Sequence, residues 1–174
     1  MILNDGIFDK LKKTGFTLKI VQKEQIEDVL QLYEKRIKWF NQKGINQWQQ
    51  YLIHHNKDEF LKAIENNELF VIYQKNNIVA CFELSEDSRL WNEEDNESYY
   101  IYKIVSKIGS SGIGAVMFDI CSDIAKLNNK KYLKIDCLER NKKLNEIYDS
   151  YGFEYVRTDT KDYYTFNLRK KRVD

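Results

Sequence analysis

Six consecutive residues, Gly109, Ser110, Ser111, Gly112, Ile113 and Gly114, gather three of the chain's seven glycines in the stretch "KIGSSGIGAVMFDI". Proline is absent from the chain. A strand-like run precedes these residues and a helix-like run follows. The chemistry that such a composition suits is anion binding. A helix start carries free N–H groups and a partial positive charge. Glycine removes the Cβ that would hold a ligand away from those groups, and the hydroxyls of Ser110 and Ser111 add donors. Taken alone, the stretch reads equally as a diphosphate cradle or as a plain Gly-rich connection. Two better-known phosphate loops are excluded. No Lys-Ser or Lys-Thr follows the last glycine, and the spacing is G-x-x-G-x-G rather than G-x-G-x-x-G.

Groups able to move a proton are more scattered. Glu83 comes late in a β-rich run, Glu97 precedes another, and Asp136 alternates with apolar Ile135 and Cys137. Glu83 is the one expected to face a cleft and act as a base. The pair His54-His55 has no matching partner and reads as surface loop. Cys81, Cys121 and Cys137 are odd in number and lack C-x-x-C spacing, so neither a disulfide framework nor a zinc site is expected. The stretch "ELSEDSRLWNEEDNE" carries Glu83, Glu86, Asp87, Glu93, Glu94, Asp95 and Glu97 against Arg89, with Trp91 in its middle. A negative field of that kind would draw in a cation, and an indole face could hold it. The same composition also suits a loop that simply stays solvated.

These residues need a frame. The 174 residues are 43% hydrophobic and 14% aromatic, which fits one globular domain with a real core. Lys and Arg number 28 against 27 Asp and Glu, so charge gives no argument for a nucleic-acid partner. No leader and no apolar run of membrane length is visible, and the cytoplasm is the expected location. Residues 16–22 read as a strand. Ile26, Val29, Leu30, Tyr33, Ile37 and Phe40 then fall at helical spacing. A short helix follows near 56–66, and a hairpin near 68–85 turns at Asn76-Asn77. Residues 99–106 form a strand leading into the glycines. Ile113, Val116, Met117, Ile120, Ile124 and Leu127 mark a long helix. Residues 132–138 alternate as a strand. Asn141 is a good N-cap for a short helix that Gly152 ends. Two strands and a basic tail, "RKKR", expected to be frayed and solvated, complete the chain. The order β-α-α-β-β-β-α-β-α-β-β predicts a mixed, mostly antiparallel sheet with one parallel, right-handed β-α-β unit and helices on both faces.

Past the glycines, "CLERNKKLNEIYDSYGFEYV" places Asn141 and then Tyr148-Asp149-Ser150-Tyr151-Gly152-Phe153 after the next strand. Loop, Asn and Tyr-x-x-x-Gly-Phe, in this order and on these elements, resemble the GNAT-type N-acetyltransferase superfamily. The resemblance covers most of the chain. It implies acetyl-CoA as donor, a small-molecule amine as acceptor, direct transfer and no metal. It implies that backbone groups of Ile104 and Val105 pair with the pantetheine arm. The cofactor would further meet Gly109, Ser110, Ser111, Gly112, Ile113, Gly114, Asn141 and Leu144. Tyr148 matches the position where many such enzymes keep a Tyr that protonates the leaving thiolate, although Leu144, Ile147 and Tyr151 also suit it to a core. Gly109 stands where the family usually opens its loop with Gln or Arg. A non-catalytic acyl-CoA sensor or interaction module of the same fold is the alternative. Neither nucleic acid nor membrane is an expected partner, and a homodimer is left open.

Overall fold

The computed structural model describes every residue except Gln50, His55 and Glu94, and the backbone alone of Ile53 and His54. The His54-His55 pair and Glu94 thus lie outside the side chains it describes. The strands Phe16–Ile20 (β1), Leu69–Gln74 (β2), Asn77–Ser85 (β3), Ser98–Ser106 (β4), Tyr132–Leu138 (β5), Glu154–Lys161 (β6) and Tyr164–Arg172 (β7) form one sheet in the order β1-β2-β3-β4-β5-β7-β6. The helices are Asp5–Lys13 (α1), Ile26–Gln42 (α2), Tyr51–His54 (α3), Lys57–Glu65 (α4), Ile113–Leu127 (α5) and Lys142–Ser150 (α6). A mixed, mostly antiparallel sheet in which β4 and β5 pair in parallel is the architecture expected from the pattern.

The chain folds as two compact units. One comprises residues 8–83 and 103–114, the other residues 1–7, 84–102 and 115–174. In the first, β1, β2 and β3 run antiparallel. The helical stripe of α2 buries Ile26, Val29, Leu32 and Tyr33. These pack with Phe60 and Ile64 of α4, Leu69 and Val71 of β2, Cys81 of β3 and Val105 of β4 in one core. Apolar burial on this scale is the main stabilising term, roughly 25 cal/mol per Å² removed from water. The hairpin turn differs from expectation by one residue. Gln74 pairs with Asn77, so the turn is Lys75-Asn76, and Lys75 takes the left-handed conformation at φ 55°.

In the second unit β4 and β5 pair in parallel from Ser98–Tyr132 to Tyr100–Lys134. β7 lies antiparallel to β5 and to β6. Trp91, Tyr100, Phe166 and Leu168 form a buried cluster here. Two segments depart from the sequence reading. Asp5–Lys13 is a helix, with Asn4 accepting from the amide of Ile7 at 3.2 Å and Ile7 and Leu11 buried. The basic end is no frayed tail, because β7 carries it to Arg172 and Arg169 is only 3% exposed, paired with Asp149.

Candidate active site

The Gly-rich stretch connects β4 to α5, as its composition predicts. Gly109 and Gly112 both take left-handed backbone, at φ 84° and 78°, which side-chain-bearing residues adopt only at a cost. A Cβ at either position would find no protein atom within 4 Å. The glycines are therefore required by backbone conformation and exposure, not by packing. The amide of Lys107 is tied to Val79 on β3 at 2.8 Å, and that of Ser110 turns back to Lys107 at 3.2 Å. Ile113 is buried at the helix start while Ser111 and Gly112 face solvent. The result is an exposed, Cβ-poor backbone at the N-terminus of a 15-residue helix.

Upstream of the loop, Lys103 stands in β4 with φ 50°. A non-glycine residue held there stores roughly 1–3 kcal/mol of strain and persists only where its surroundings impose it. Three contacts do so. Its carbonyl accepts from the hydroxyl of Tyr33, its ammonium pairs with Glu83, and the ammonium lies 5.5 Å from the centre of the Phe60 ring. Both charged side chains are fully buried. Ile104 and Val105 follow directly, with Val105 in the core and Ile104 half-buried. Glu83, expected as a base facing a cleft, is instead the buried counter-ion of Lys103. Taking a proton from an amine would leave that lysine unpaired in the interior, which costs several kcal/mol.

Tyr148 is built from β5, α6 and β7. Asn141 caps α6 as expected, accepting from the amide of Leu144 at 3.0 Å. Gly152 ends it in the left-handed conformation, and the amide of Phe153 returns to the carbonyl of Tyr148 at 3.0 Å. One turn before Tyr148 sits Asn145, buried, whose Oδ1 accepts from Asn167 at 2.8 Å, Cys137 at 3.1 Å and Arg169 at 3.2 Å. Its Nδ2 donates to the carbonyls of Asn141 and Leu138. This network locks α6 against the strands and fixes the face that carries Tyr148. The Tyr148 ring packs edge-on to Phe118 at 6.0 Å and against Phe153 at 6.0 Å. Burial first, and then the neighbouring Cys137 and Asp136, push the phenol well above its ordinary range. It therefore holds its proton at neutral pH. Cys137 is buried and its thiol is pushed up to about 12, chiefly by burial, so it is not a thiolate nucleophile.

Asp136 belongs to the same group. It lies on β5 beyond Lys134, the last residue in register with β4, and within electrostatic reach of Tyr148, Tyr102 and Arg89. Desolvation raises its carboxyl to about 6, only partly offset by Arg89. A carboxylate tuned towards neutrality beside a protonated phenol is an arrangement suited to moving protons between two partners.

No family model matches the chain. It is 24% identical over 151 residues, 82% of this chain and 84% of the relative, to a Bacillus subtilis (strain 168) protein named as the N-acetyltransferase YesJ. A GNAT-family acetyltransferase of Listeria monocytogenes, solved as a crystal structure, superposes with a TM-score of 0.74 at 20% identity over 90% of this chain and 94% of that one. The chain has the fold of these acetyltransferases. Another neighbour, yncA of Salmonella typhimurium, was solved with its cofactor acetyl-CoA and aligns with a TM-score of 0.63 at 11% identity, covering 92% of this chain and 95% of that one.

On this scaffold the acidic stretch before β4 does not present the uncompensated negative surface that one reading of its sequence suggests. Lys134 pairs with both Glu93 and Asp95, Lys131 with Glu97, Lys130 with Glu86 and Arg89 with Asp87. Trp91, expected to offer its face to a cation, is 2% exposed and already has Lys134 at 4.9 Å and Arg157 at 5.7 Å from its ring. It is a core residue. Burial pushes the Asp95 carboxyl up, but hydrogen bonds from Lys134, Ser98 and the amide of Glu97 outweigh this and hold it below the usual carboxylate range. The stability that this group contributes is present above its unfolded pKa and fades as pH falls through the lower folded value. Converting Glu93 to Gln and Asp95 to Asn together leaves the nearly buried Lys134 without a counter-ion. We expect that double variant to lose about 3 kcal/mol in denaturant unfolding and to keep the acceptor KM. A raised KM with unchanged stability would restore a recognition role.

Asn145 and Lys103 are residues of the candidate site that the sequence did not reveal. An Asn within a helix and a Lys within a strand look solvated in one dimension. The only available signal was placement, Asn145 one turn from Tyr148 and Lys103 just before the loop. Among the described residues no cluster of His, Cys, Asp and Glu could hold a metal, and no helix is long and apolar enough to cross a membrane.

Proposed function

We propose that this protein is an acetyl-CoA-dependent N-acetyltransferase that transfers the acetyl group directly to a primary amine on a small acceptor. The observation that carries the reading is the left-handed, exposed glycine loop opening α5 in a chain of GNAT fold. Coenzyme A fits these residues. The amides and hydroxyls of residues 109–114 suit its diphosphate. The backbone of Ile104 and Val105, turned by Lys103, suits pairing with the pantetheine amides as an added strand would. Asn141 and Leu144, at the start of α6, are the further cofactor contacts that the family resemblance implies. Gly109 in place of Gln or Arg leaves phosphate contact here to backbone and hydroxyl donors.

Acetyl-CoA supplies an activated thioester, and the chain manages the protons. The acceptor must be neutral to attack, whereas a free alkylammonium has a pKa of roughly 10. Asp136 takes that proton, replacing Glu83 in the role, because it is tuned towards neutrality and not committed to a buried ion pair. The amide of Val105 serves the developing oxyanion. Tyr148 stays protonated and donates a hydrogen bond to the departing sulfur. Replacing Tyr148 by Phe keeps the ring packing and should leave coenzyme A affinity within about twofold. It should lower kcat about 10²-fold when chemistry limits the rate. An unchanged kcat would return Tyr148 to a packing role. The deciding assay is release of free coenzyme A thiol across a panel of amines. Amine-dependent release supports the transferase. Tight coenzyme A binding with no release by any amine would make the protein a sensor of the same fold.

A further inference from the structure

A groove of about 310 Å³ lies between α2 and the segment from Ser106 to Ile108 that enters the glycine loop. Its floor is apolar, made by Leu32, Trp39 and Ile108. Its rim carries Lys35, Arg36, Lys38 and Lys107, and among the described residues no carboxylate lines it. Arg36 is held in place. Its Nε donates to the carbonyl of Ser106 at 3.2 Å and its Nη2 to the Ser106 hydroxyl at 3.0 Å, while the guanidinium lies over Trp39 at 5.2 Å. Lys35, Lys38 and Lys107 are exposed. Four cations around one groove repel each other, and neighbouring like charges on a helix face are destabilising. The arrangement is complementary to a ligand that is flat and apolar on one side and anionic on the other.

We infer that this groove receives the 3′-phosphoadenosine end of coenzyme A, with the adenine on the Trp39 floor and the 3′-phosphate on the Lys35 and Lys38 rim. The inference rests on the transferase reading above and adds to it the recognition of one phosphate. Continuity supports the assignment. Lys107 and Ile108 line the groove and Gly109 opens the loop expected to hold the diphosphate. Two residues span at most roughly 7 Å of chain, a separation suited to two phosphate groups of one nucleotide. Paired lysines on one helix face bind phosphate as point charges and need no bidentate geometry.

The test is calorimetry with coenzyme A and with dephospho-coenzyme A, which differ only in the 3′-phosphate. It uses the wild-type protein and the double variant Lys35→Gln with Lys38→Gln. Both positions are exposed, so folding is not at risk. The wild type should bind coenzyme A about tenfold more tightly than the dephospho form. In the variant that ratio should fall to about twofold, with dephospho-coenzyme A affinity unchanged. Adenosine 3′,5′-bisphosphate should compete with coenzyme A on the wild type and lose most of that ability on the variant. Equal affinity of the wild type for the two coenzymes overturns the proposal, as does a tenfold ratio that survives in the variant. Either result would turn the groove towards another occupant, such as an acidic peptide. If the wild type binds neither coenzyme, the transferase reading itself fails and the groove assignment falls with it. If both coenzymes bind equally and both support turnover, the groove assignment alone falls.

Discussion

Replacing Gly112 with Val should lower coenzyme A affinity by more than 10²-fold, a loss of about 2.7 kcal/mol. Gly112 has φ 78°, and a β-branched residue is strongly disfavoured there. The protein itself would not be crowded, since no atom lies within 4 Å of the added Cβ. The side chain instead projects into the space where a diphosphate would approach the amides, and the backbone is driven away from the conformation that presents them. Gly15 supplies the control. It too is left-handed, at φ 80°, with nothing near its Cβ, and it lies in the connection between α1 and β1. Gly15→Val should therefore impose a similar conformational cost on stability, roughly 1–2 kcal/mol, without touching coenzyme A binding. The comparison separates strain from ligand exclusion. A folded Gly112→Val protein with ordinary coenzyme A affinity would remove the loop from the cofactor site.

How far such roles can be read from residue order depends on whether the determinant is local. The turn into α5 was legible because left-handed backbone and helix initiation are short-range demands, and the glycines at 109 and 112 are their direct chemical answer. The cap by Asn141 and the stop at Gly152 were legible for the same reason. The long helices announced themselves by periodicity, as Ile113, Met117, Ile120 and Ile124 do in α5. Charge partnerships were not legible. Lys103 and Glu83 are 20 residues apart, and Lys134 is 39 residues from Asp95. In one dimension the acidic stretch shows its carboxylates and hides the lysines that neutralise them, so it suited a recognition surface as readily as a solvated loop. The tail misled in the opposite direction. A run of basic residues reads as solvated, yet strand alternation turns Arg169 inwards to Asp149 and Asn145. Helix α1 escaped because its buried side chains, Ile7 and Leu11, make only one apolar step over nine residues. Asp136 was visible as an acid among apolar neighbours, but alternation alone could not say which side of β5 would leave it desolvated.

Replacing Asp136 with Asn should reduce kcat/KM about 10³-fold while making the protein more stable at neutral pH. The two effects share one cause. The folded carboxyl is raised to about 6 by burial, against roughly 3.9 in an unfolded chain. The folded state therefore binds more protons than the unfolded state between those values. Its stability falls as pH rises through that window, and at pH 7 the ionised carboxylate costs on the order of 2–3 kcal/mol. Asn, which cannot ionise, removes that cost, so the thermal midpoint measured at pH 7 should rise and should no longer decline between pH 4 and 6 on this account. Activity should move the other way. A base works only when unprotonated, so wild-type kcat/KM should fall about tenfold per pH unit below about 6, and the residual activity of the Asn variant should lack that limb. Coenzyme A affinity should not change, because the expected cofactor contacts lie elsewhere. A carboxylate kept only for packing or pairing would give the reverse pattern on replacement, with lower stability and an unaltered acid limb. A variant that is both more stable and fully active, or one that keeps the limb near 6, would show that the amine gives its proton to another group.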